Sequence, residues 1–292
     1  MRLSLLAILL TAGSVHACAS LHEEPSQTEH ISVDSEADFK PTESVSATGL
    51  GDYQTGVTKA KGEWISCRLK NARATVLLMH GDHQGYDPAK FCHGWHAQAF
   101  LATGYDVVTI NRPGFGASNG AADFTGPASI AAVLAVLPTA IKTASLPHPV
   151  TGVWGYGSAA SAAAIVSKHL KGLNFLIVGG GIYDYEEALR TSSDPATKAD
   201  IEILKKLGGD KAIEERSVAY ETTGLPPTIA IYHGAKDTVA PVAQAKAFVD
   251  ALASSGHYKT SYQPLDGQSH DLPWVYHRHV LEAIIQGLSP KD

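Results

Sequence analysis

The sequence predicts an α/β protein with a doubly wound, mostly parallel sheet and a small helical cap. Strand-like and helix-like segments alternate from about residue 56 to the end of the chain, which is the pattern of parallel strands joined by crossover helices. Several strands are uninterrupted apolar runs, as in residues 74–79, and such runs are typical of parallel strands covered on both faces. With 292 residues and 44% hydrophobic content, the chain is long enough to bury one large core.

In the first half of the domain, turn and loop residues divide the chain into short segments. Gly104 stops the first helix, and the loop 111–118 follows a buried strand. The predicted elements are, in order, a strand at 64–69, a strand at 74–79, a helix at 88–103, a strand at 105–110, a helix at 126–142 and a strand at 150–155.

In the second half, residues 182–227 carry helical segments broken at Pro195 and at Gly208-Gly209, and they predict the cap. Pro241 opens a later helix, because proline in the first turn lacks only an N–H that has no helical partner there. The other predicted elements are, in order, a helix at 159–170, strands at 174–178 and 228–232, a helix at 241–254, a strand at 258–263 and a helix at 274–287.

Residues 1–19 predict an export signal. Arg2 precedes an apolar run over residues 3–10, and small residues follow, as in secretory signal peptides. Cys18 fits a lipoprotein signal, in which this cysteine is lipidated and becomes the mature N-terminus. Ordinary cleavage after Ala17 or Ala19 is the alternative. Either route exports the protein. It would then be periplasmic, anchored to a membrane as a lipoprotein, or secreted into the medium.

The segment after the signal is rich in Glu, Asp, Ser and Thr and predicts a flexible linker over residues 20–55, because it lacks the apolar surface that folding requires. The folded domain is therefore expected over residues 56–292. The formal net charge of −6, without a basic run, argues against a nucleic-acid partner. No apolar stretch of membrane-spanning length follows the N-terminus.

Cys67 and Cys92 remain once the signal region has been set aside. In an oxidising compartment such a pair is a candidate disulfide. Two separate buried thiols are the alternative, because pairing depends on a Cα separation that sequence does not give.

The strand at 150–155 runs into a tight turn and then a helix, and this is the outline of a nucleophile elbow, whose pattern is G-x-S-x-G. Aligned on that pattern, Gly155 takes the first glycine and Ala159 the last small residue. The nucleophile position then falls on Gly157, which has no side chain. Ser158, the nearest hydroxyl, follows one residue later.

The motifs in this order resemble those of the α/β-hydrolase superfamily, over residues 60–288. The segments 215–227 and 233–241 are especially similar to the catalytic domain of prolyl-oligopeptidase-like serine hydrolases and esterases. The resemblance implies Asp237 as the triad acid and His270 as the general base, in the chain order of this fold. It also implies an oxyanion hole formed by the backbone N–H groups of Asp82 and Ser158.

Three accounts of the missing serine stay open. In the first, Ser158 is the nucleophile of a shifted elbow, although Tyr156 would then occupy a position that requires a small residue. In the second, Gly157 relieves the strain of the elbow, and the protein binds a ligand or partner, or His270 activates water directly. In the third, a hydroxyl is recruited from elsewhere, such as the cap.

The sequence thus predicts an exported protein related to carboxylester or peptide hydrolases, with a catalytically silent binding protein as the alternative. We expect no cofactor. The paired H-x-x-H spacings at His80, His83, His93 and His96 are better explained by structural roles than by a metal. The expected partner is a small ester or peptide, as substrate or ligand.

Overall fold

The computed structural model describes residues 40–288, so the predicted signal segment, Cys18 and most of the predicted linker lie outside the described residues. Eight strands of this part of the chain form one sheet in the order β1-β2-β4-β3-β5-β6-β7-β8. The strands are β1 Val45–Thr55, β2 Thr58–Arg68, β3 Ala74–Leu78, β4 Tyr105–Asn111, β5 Val150–Tyr156, β6 Phe175–Gly179, β7 Thr228–Gly234 and β8 Lys259–Leu265. β1 and β2 pair antiparallel, and β2 pairs antiparallel with β4, whereas all other pairs are parallel.

Helices cover both faces of the sheet, as the doubly wound prediction requires. The helices are α1 Trp95–Ala102, α2 Pro127–Thr143, α3 Ser158–Ser167, α4 Tyr185–Thr191, α5 Pro195–Arg216, α6 Ala243–Ser255 and α7 Trp274–Leu288. α1 and α7 bury one face of the sheet, and α2, α3 and α6 bury the other. Strand side chains alternate between these two layers: Leu77 belongs to one core and its neighbours Val76 and Leu78 to the other.

The sequence prediction that residues 20–55 form a flexible linker is wrong for the last eleven of them, which form β1. The segment escaped prediction because it has few large apolar residues. Its strand is instead stabilised by a full antiparallel ladder with β2, from Val45 opposite Arg68 to Thr55 opposite Thr58. Gly49 and Gly51 fit closely over Trp64 and Val136, so small residues here allow the ladder to pack on the core.

The start of one helix also differs from the sequence prediction. The helix expected over 88–103 is α1 and begins only at Trp95, because residues 91–93 form a separate short 3₁₀ turn that ends at Gly94.

The predicted cap contains α4 and α5, which share a small apolar core of their own around Tyr185, Ile201 and Ile213. Gly209, at φ +66°, interrupts α5. Within residues 40–288, no helix combines the length and apolarity that crossing a membrane requires.

Cys67 and Cys92 form a disulfide, with their Cα atoms 5.6 Å apart. It ties β2 to the 3₁₀ turn that precedes α1. The sequence left this pairing open, and the structure selects it over separate thiols.

Candidate active site

The turn between β5 and α3 has the geometry of a nucleophile elbow centred on Gly157. Gly157 adopts φ +61° and ψ −131° as the residue before α3, a backbone conformation that is strained for any residue with a side chain. Gly155 and Ala159 pass so closely that a Cβ on Gly155 would lie 2.0 Å from the carbonyl oxygen of Ala159. Because the small residues therefore belong two positions before and two after Gly157, the unshifted alignment is the one that the fold adopts.

Gly157 also lies opposite His270. A Cβ built on Gly157 would be 3.4 Å from Nε2 of His270, which is an ordinary contact distance and the direction from which a nucleophilic hydroxyl would reach the base. The position to which the elbow pattern assigns the nucleophile thus faces His270 and carries no side chain.

Ser158 faces away from this position. Its Oγ accepts a hydrogen bond of 2.9 Å from the backbone N–H of Asp82, and a Cβ on Gly81 would be 2.7 Å from the same oxygen. Among residues 40–288, no hydrogen bond joins Ser158 to His270. The hydroxyl therefore occupies the site at which the Asp82 N–H would meet an oxyanion. Ser158 is the first residue of α3, so its own N–H has no partner within the helix.

Asp237 and His270 form the expected acid–base pair. Oδ2 of Asp237 lies 2.8 Å from Nδ1 of His270, and Oδ1 accepts hydrogen bonds from the backbone N–H groups of Val239 and Ala240, each at 2.9 Å. Burial alone would raise the pKa of Asp237, but side-chain hydrogen bonds from His233 and His270 outweigh it and lower the pKa to about 2. The carboxylate is therefore ionised, and it orients the His270 ring by accepting a hydrogen bond from Nδ1–H.

The negative charge of Asp82, unusual beside an oxyanion hole, is compensated. Its carboxylate pairs with the buried guanidinium of Arg112 at 2.9 Å, and Arg112 also donates to the carbonyl oxygens of His80 and Gly81. Burial, together with the Arg112 charge, lowers the pKa of His80 to about 3. His80 is thus neutral and accepts the backbone N–H of Arg112 through Nε2.

Sequence reasoning missed two residues of this site. Arg112 lies in the loop 111–118, whose sequence Arg-Pro-Gly after a buried strand indicates a tight turn and gives no sign of the contact with Asp82. His233 was seen only as the start of the motif that contains Asp237, yet its imidazole is fully buried with Nε2 3.3 Å from the carboxylate.

A cavity of about 110 Å³ lies above Gly157, Ser158 and His270. The cap forms its roof, and its apolar walls are supplied by Phe124, Ile182, Ile201, Val239 and Ala240. At the mouth, Nε2 of His83 lies 2.8 Å from Oδ2 of Asp200, and this contact joins the loop after β3 to α5. Two cap hydroxyls line the cavity but are engaged elsewhere: Tyr185 donates to Ser161 and Thr197 to the Val239 carbonyl.

No set of three or more His, Cys, Asp or Glu side chains between residues 40 and 288 gathers into a group that could hold a metal ion. The histidines of the two H-x-x-H spacings are divided among separate roles. His80 belongs to the Arg112 network, His83 pairs with Asp200, and His96 stacks against Tyr86.

Comparison with solved structures identifies the architecture. The chain superimposes on an acylaminoacyl peptidase from Pyrococcus horikoshii with a TM-score of 0.65 and 14% identity, covering 86% of this chain and 42% of that one. A puromycin-hydrolysing peptidase from Mycobacterium tuberculosis gives 0.65 and 16%, with 84% and 40% covered. An esterase from Pyrococcus furiosus gives 0.56 and 16%, with 83% and 90% covered.

This chain therefore has the α/β-hydrolase fold, and it spans about two fifths of the length of the two peptidases. No protein-family model matches the sequence, and no curated protein does.

Proposed function

We propose that this protein is an exported relative of carboxylester and peptide hydrolases that binds a small amide-containing ligand above Gly157 without forming an acyl-enzyme. The hydrogen bond from Asp82 to Ser158 carries the proposal. It turns the Ser158 hydroxyl away from His270 and fills the oxyanion position with it. Both requirements of covalent serine catalysis are then unmet.

Two polar groups next to Gly157 define what the cavity binds at this position. The Ser158 oxygen uses one lone pair for the Asp82 N–H, and its own proton is free to donate to a ligand. In the neutral imidazole, Nε2 of His270 is an acceptor, because Asp237 holds the proton on Nδ1. A ligand group that accepts from Ser158 and donates to His270 satisfies both, and an amide does so whereas an ester supplies only acceptors.

The space left by the missing side chain supports the same conclusion. Nε2 of His270 has no hydrogen-bond partner among residues 40–288, and the nearest atom of a side chain at position 157 would lie within contact distance of it. A ligand N–H can therefore take the place that a serine hydroxyl has in a working triad. The apolar walls of the cavity accommodate the aliphatic part of such a ligand.

The Cys67–Cys92 disulfide supports the proposal of export, because such bonds persist in oxidising compartments. Lipid attachment at Cys18 remains part of this proposal as one of the two processing routes.

The test has two arms on the purified protein. In the first, a fluorophosphonate probe is added and adducts are mapped by mass spectrometry; we expect none on Ser158. In the second, the His270 imidazole is followed by NMR during titration with N-methylpropanamide and with its ester isostere, methyl propanoate. We expect shifts with the amide and much smaller ones with the ester. An adduct on Ser158, or equal responses to both compounds, would contradict the proposal.

A further inference from the structure

His270 lies on the loop of residues 266–273 between β8 and α7, and most residues of this loop are exposed. Loops are more mobile than the strands they connect, so a base carried on one needs fixed contacts with the sheet. One such contact comes just after β7, where the backbone N–H of Lys236 donates to the carbonyl oxygen of Gln268 at 2.8 Å. The bond from Nδ1 of His270 to Asp237 comes from the same segment. Both contacts tie the loop to the residues that follow β7.

A further contact with His270 comes from Tyr156, the last residue of β5. Its hydroxyl donates to the backbone carbonyl oxygen of His270 at 2.7 Å, and its ring packs beside the imidazole with centroids 5.6 Å apart. Burial, together with the charges of Asp237 and Asp271, raises the pKa of the Tyr156 hydroxyl well above its usual value. The hydroxyl therefore keeps its proton at neutral pH and donates it. Because Tyr156 directly precedes Gly157, it ties the loop of His270 to the elbow itself.

The fold makes room for the ring of Tyr156 and holds it in place. A Cβ on Gly179 would lie 2.7 Å from Cδ2 of this ring, and a Cβ on Gly180 would lie 2.7 Å from Cζ and 2.9 Å from the hydroxyl oxygen. These distances are well inside van der Waals contact, so side chains at either position would displace the ring. His277 packs on the ring from another side, with centroids 4.3 Å apart. The hydroxyl of Tyr156 is thus a fixed point at the end of β5.

The placement of Nε2 of His270 depends on more than one contact. One hydrogen bond fixes one point of a ring, so the bond to Asp237 does not by itself determine where Nε2 lies. With the backbone carbonyl of His270 fixed as well, the imidazole is held where a Cβ on Gly157 would be 3.4 Å from Nε2 and 3.7 Å from Cε1. Such placement matters for function, because a misplacement of about 1 Å can cost a reaction about 100-fold.

We propose that Tyr156 is a positioning residue for His270. Its hydroxyl holds the loop that carries the imidazole against the elbow, so that Nε2 faces position 157. The proton of Tyr156 is used by the His270 carbonyl, and Tyr156 therefore acts on the site through His270 and not through a ligand. The inference goes beyond the function proposed for the cavity, since it holds for any group that uses Nε2.

The test compares Tyr156→Phe with Tyr258→Phe by nuclear magnetic resonance of the purified protein. Each change removes a hydroxyl and keeps the ring, and Tyr258 is a matched control because its hydroxyl also donates to a distant backbone carbonyl, that of Thr222, outside the cavity. The readout is the nuclear Overhauser effect between Hε1 of His270 and the α-protons of Gly157, which falls steeply with their distance. We expect Tyr156→Phe to lower it at least about twofold and Tyr258→Phe to leave it unchanged.

The Nδ1 proton of His270 gives a second readout. Once the loop is released, the bond to Asp237 opens more often, and we expect exchange of this proton with water to be about three- to tenfold faster in Tyr156→Phe, the equivalent of one hydrogen bond. Tyr258→Phe should change the exchange rate less than about twofold. An unchanged Overhauser effect in folded Tyr156→Phe, or equal losses in the two variants, would overturn the proposal. Neither readout needs a ligand, so a failed amide titration would leave this inference standing.

Discussion

Gly157→Ser places a hydroxyl at the position that the elbow pattern assigns to the nucleophile, and its consequences follow from the structure. The new Cβ would lie 3.4 Å from Nε2 of His270, so one rotamer brings Oγ within the roughly 2.6–3.2 Å that proton transfer requires. The backbone at φ +61° and ψ −131° costs a residue with a side chain about 1–3 kcal/mol. We expect Tm to fall by about 2–4 °C for each kcal/mol of that strain.

The restored hydroxyl alone should be a poor catalyst, because Ser158 still occupies the N–H of Asp82. Removal of one oxyanion-hole donor typically costs about 10²–10³ in rate. Ser158→Ala frees that N–H. The double variant Gly157→Ser/Ser158→Ala should therefore hydrolyse a p-nitrophenyl ester about 10²–10³ times faster than Gly157→Ser.

The assay is ester hydrolysis with fluorophosphonate labelling of the same samples, and an adduct is expected at residue 157. Gly157→Ala is the matched control, since it carries the same backbone strain without a hydroxyl. A folded double variant that neither labels nor exceeds the single variant would refute the assignment of Gly157 to the nucleophile position.

Three further outcomes are expected. Ser158→Ala should cost only about 0.5–1.5 kcal/mol, the net value of the hydrogen bond to Asp82, and should abolish the NMR response to the amide; an unchanged response would remove Ser158 from the binding site. Reduction of the Cys67–Cys92 bond should lower the free energy of unfolding by about 3 kcal/mol, because this bond closes a loop with a separation of 25 residues. Denaturant unfolding with and without reductant measures this difference, and the double variant Cys67→Ser/Cys92→Ser should match the reduced protein. Acid should destabilise the fold in two stages. Burial lowers the pKa of His80 and His277 from 6.5 to about 3, so the unfolded chain takes up protons first and the free energy of unfolding falls as the pH drops below 6.5; a free energy of unfolding that is constant from pH 8 to 4 would contradict the burial of the two neutral histidines. The Asp237 contribution, about 2 kcal/mol from a pKa of about 2 against 3.8, is lost below about pH 4.

The fold was predictable because apolar runs in the sequence are typical of buried parallel strands. Residues 74–78 and 105–111 are buried between two helical layers, and this burial is what their mostly apolar sequences reflect. β1 was not predictable in the same way, because its stability comes from backbone pairing with β2 rather than from its side chains.

The site could be predicted as a set of positions but not as a set of orientations. Glycine and alanine spacing located the elbow, because close passage of strand and helix excludes a Cβ at Gly155. Nothing in the sequence indicated that the Ser158 hydroxyl turns to the Asp82 N–H, since a side-chain rotamer at a helix start depends on the loop that packs beside it. The Arg112–Asp82 pair joins residues 30 positions apart, and only the fold brings them together.

The presence of Asp237 and His270 opposite a glycine at position 157 requires two different explanations. Asp237 has a structural role of its own, because its carboxylate holds the turn before α6 through the N–H groups of Val239 and Ala240 and lies against His233. His270 is less tightly held: its side chain is bonded to Asp237 through Nδ1, contacts the ring of Tyr156 on one side, is 22% exposed, and presents Nε2 to the cavity. Hydrogen bonding within the fold therefore explains the acid but gives no use to the direction in which Nε2 of the base points. An imidazole held by an ionised carboxylate, with its acceptor nitrogen facing the position of a missing side chain, is what a ligand N–H would use.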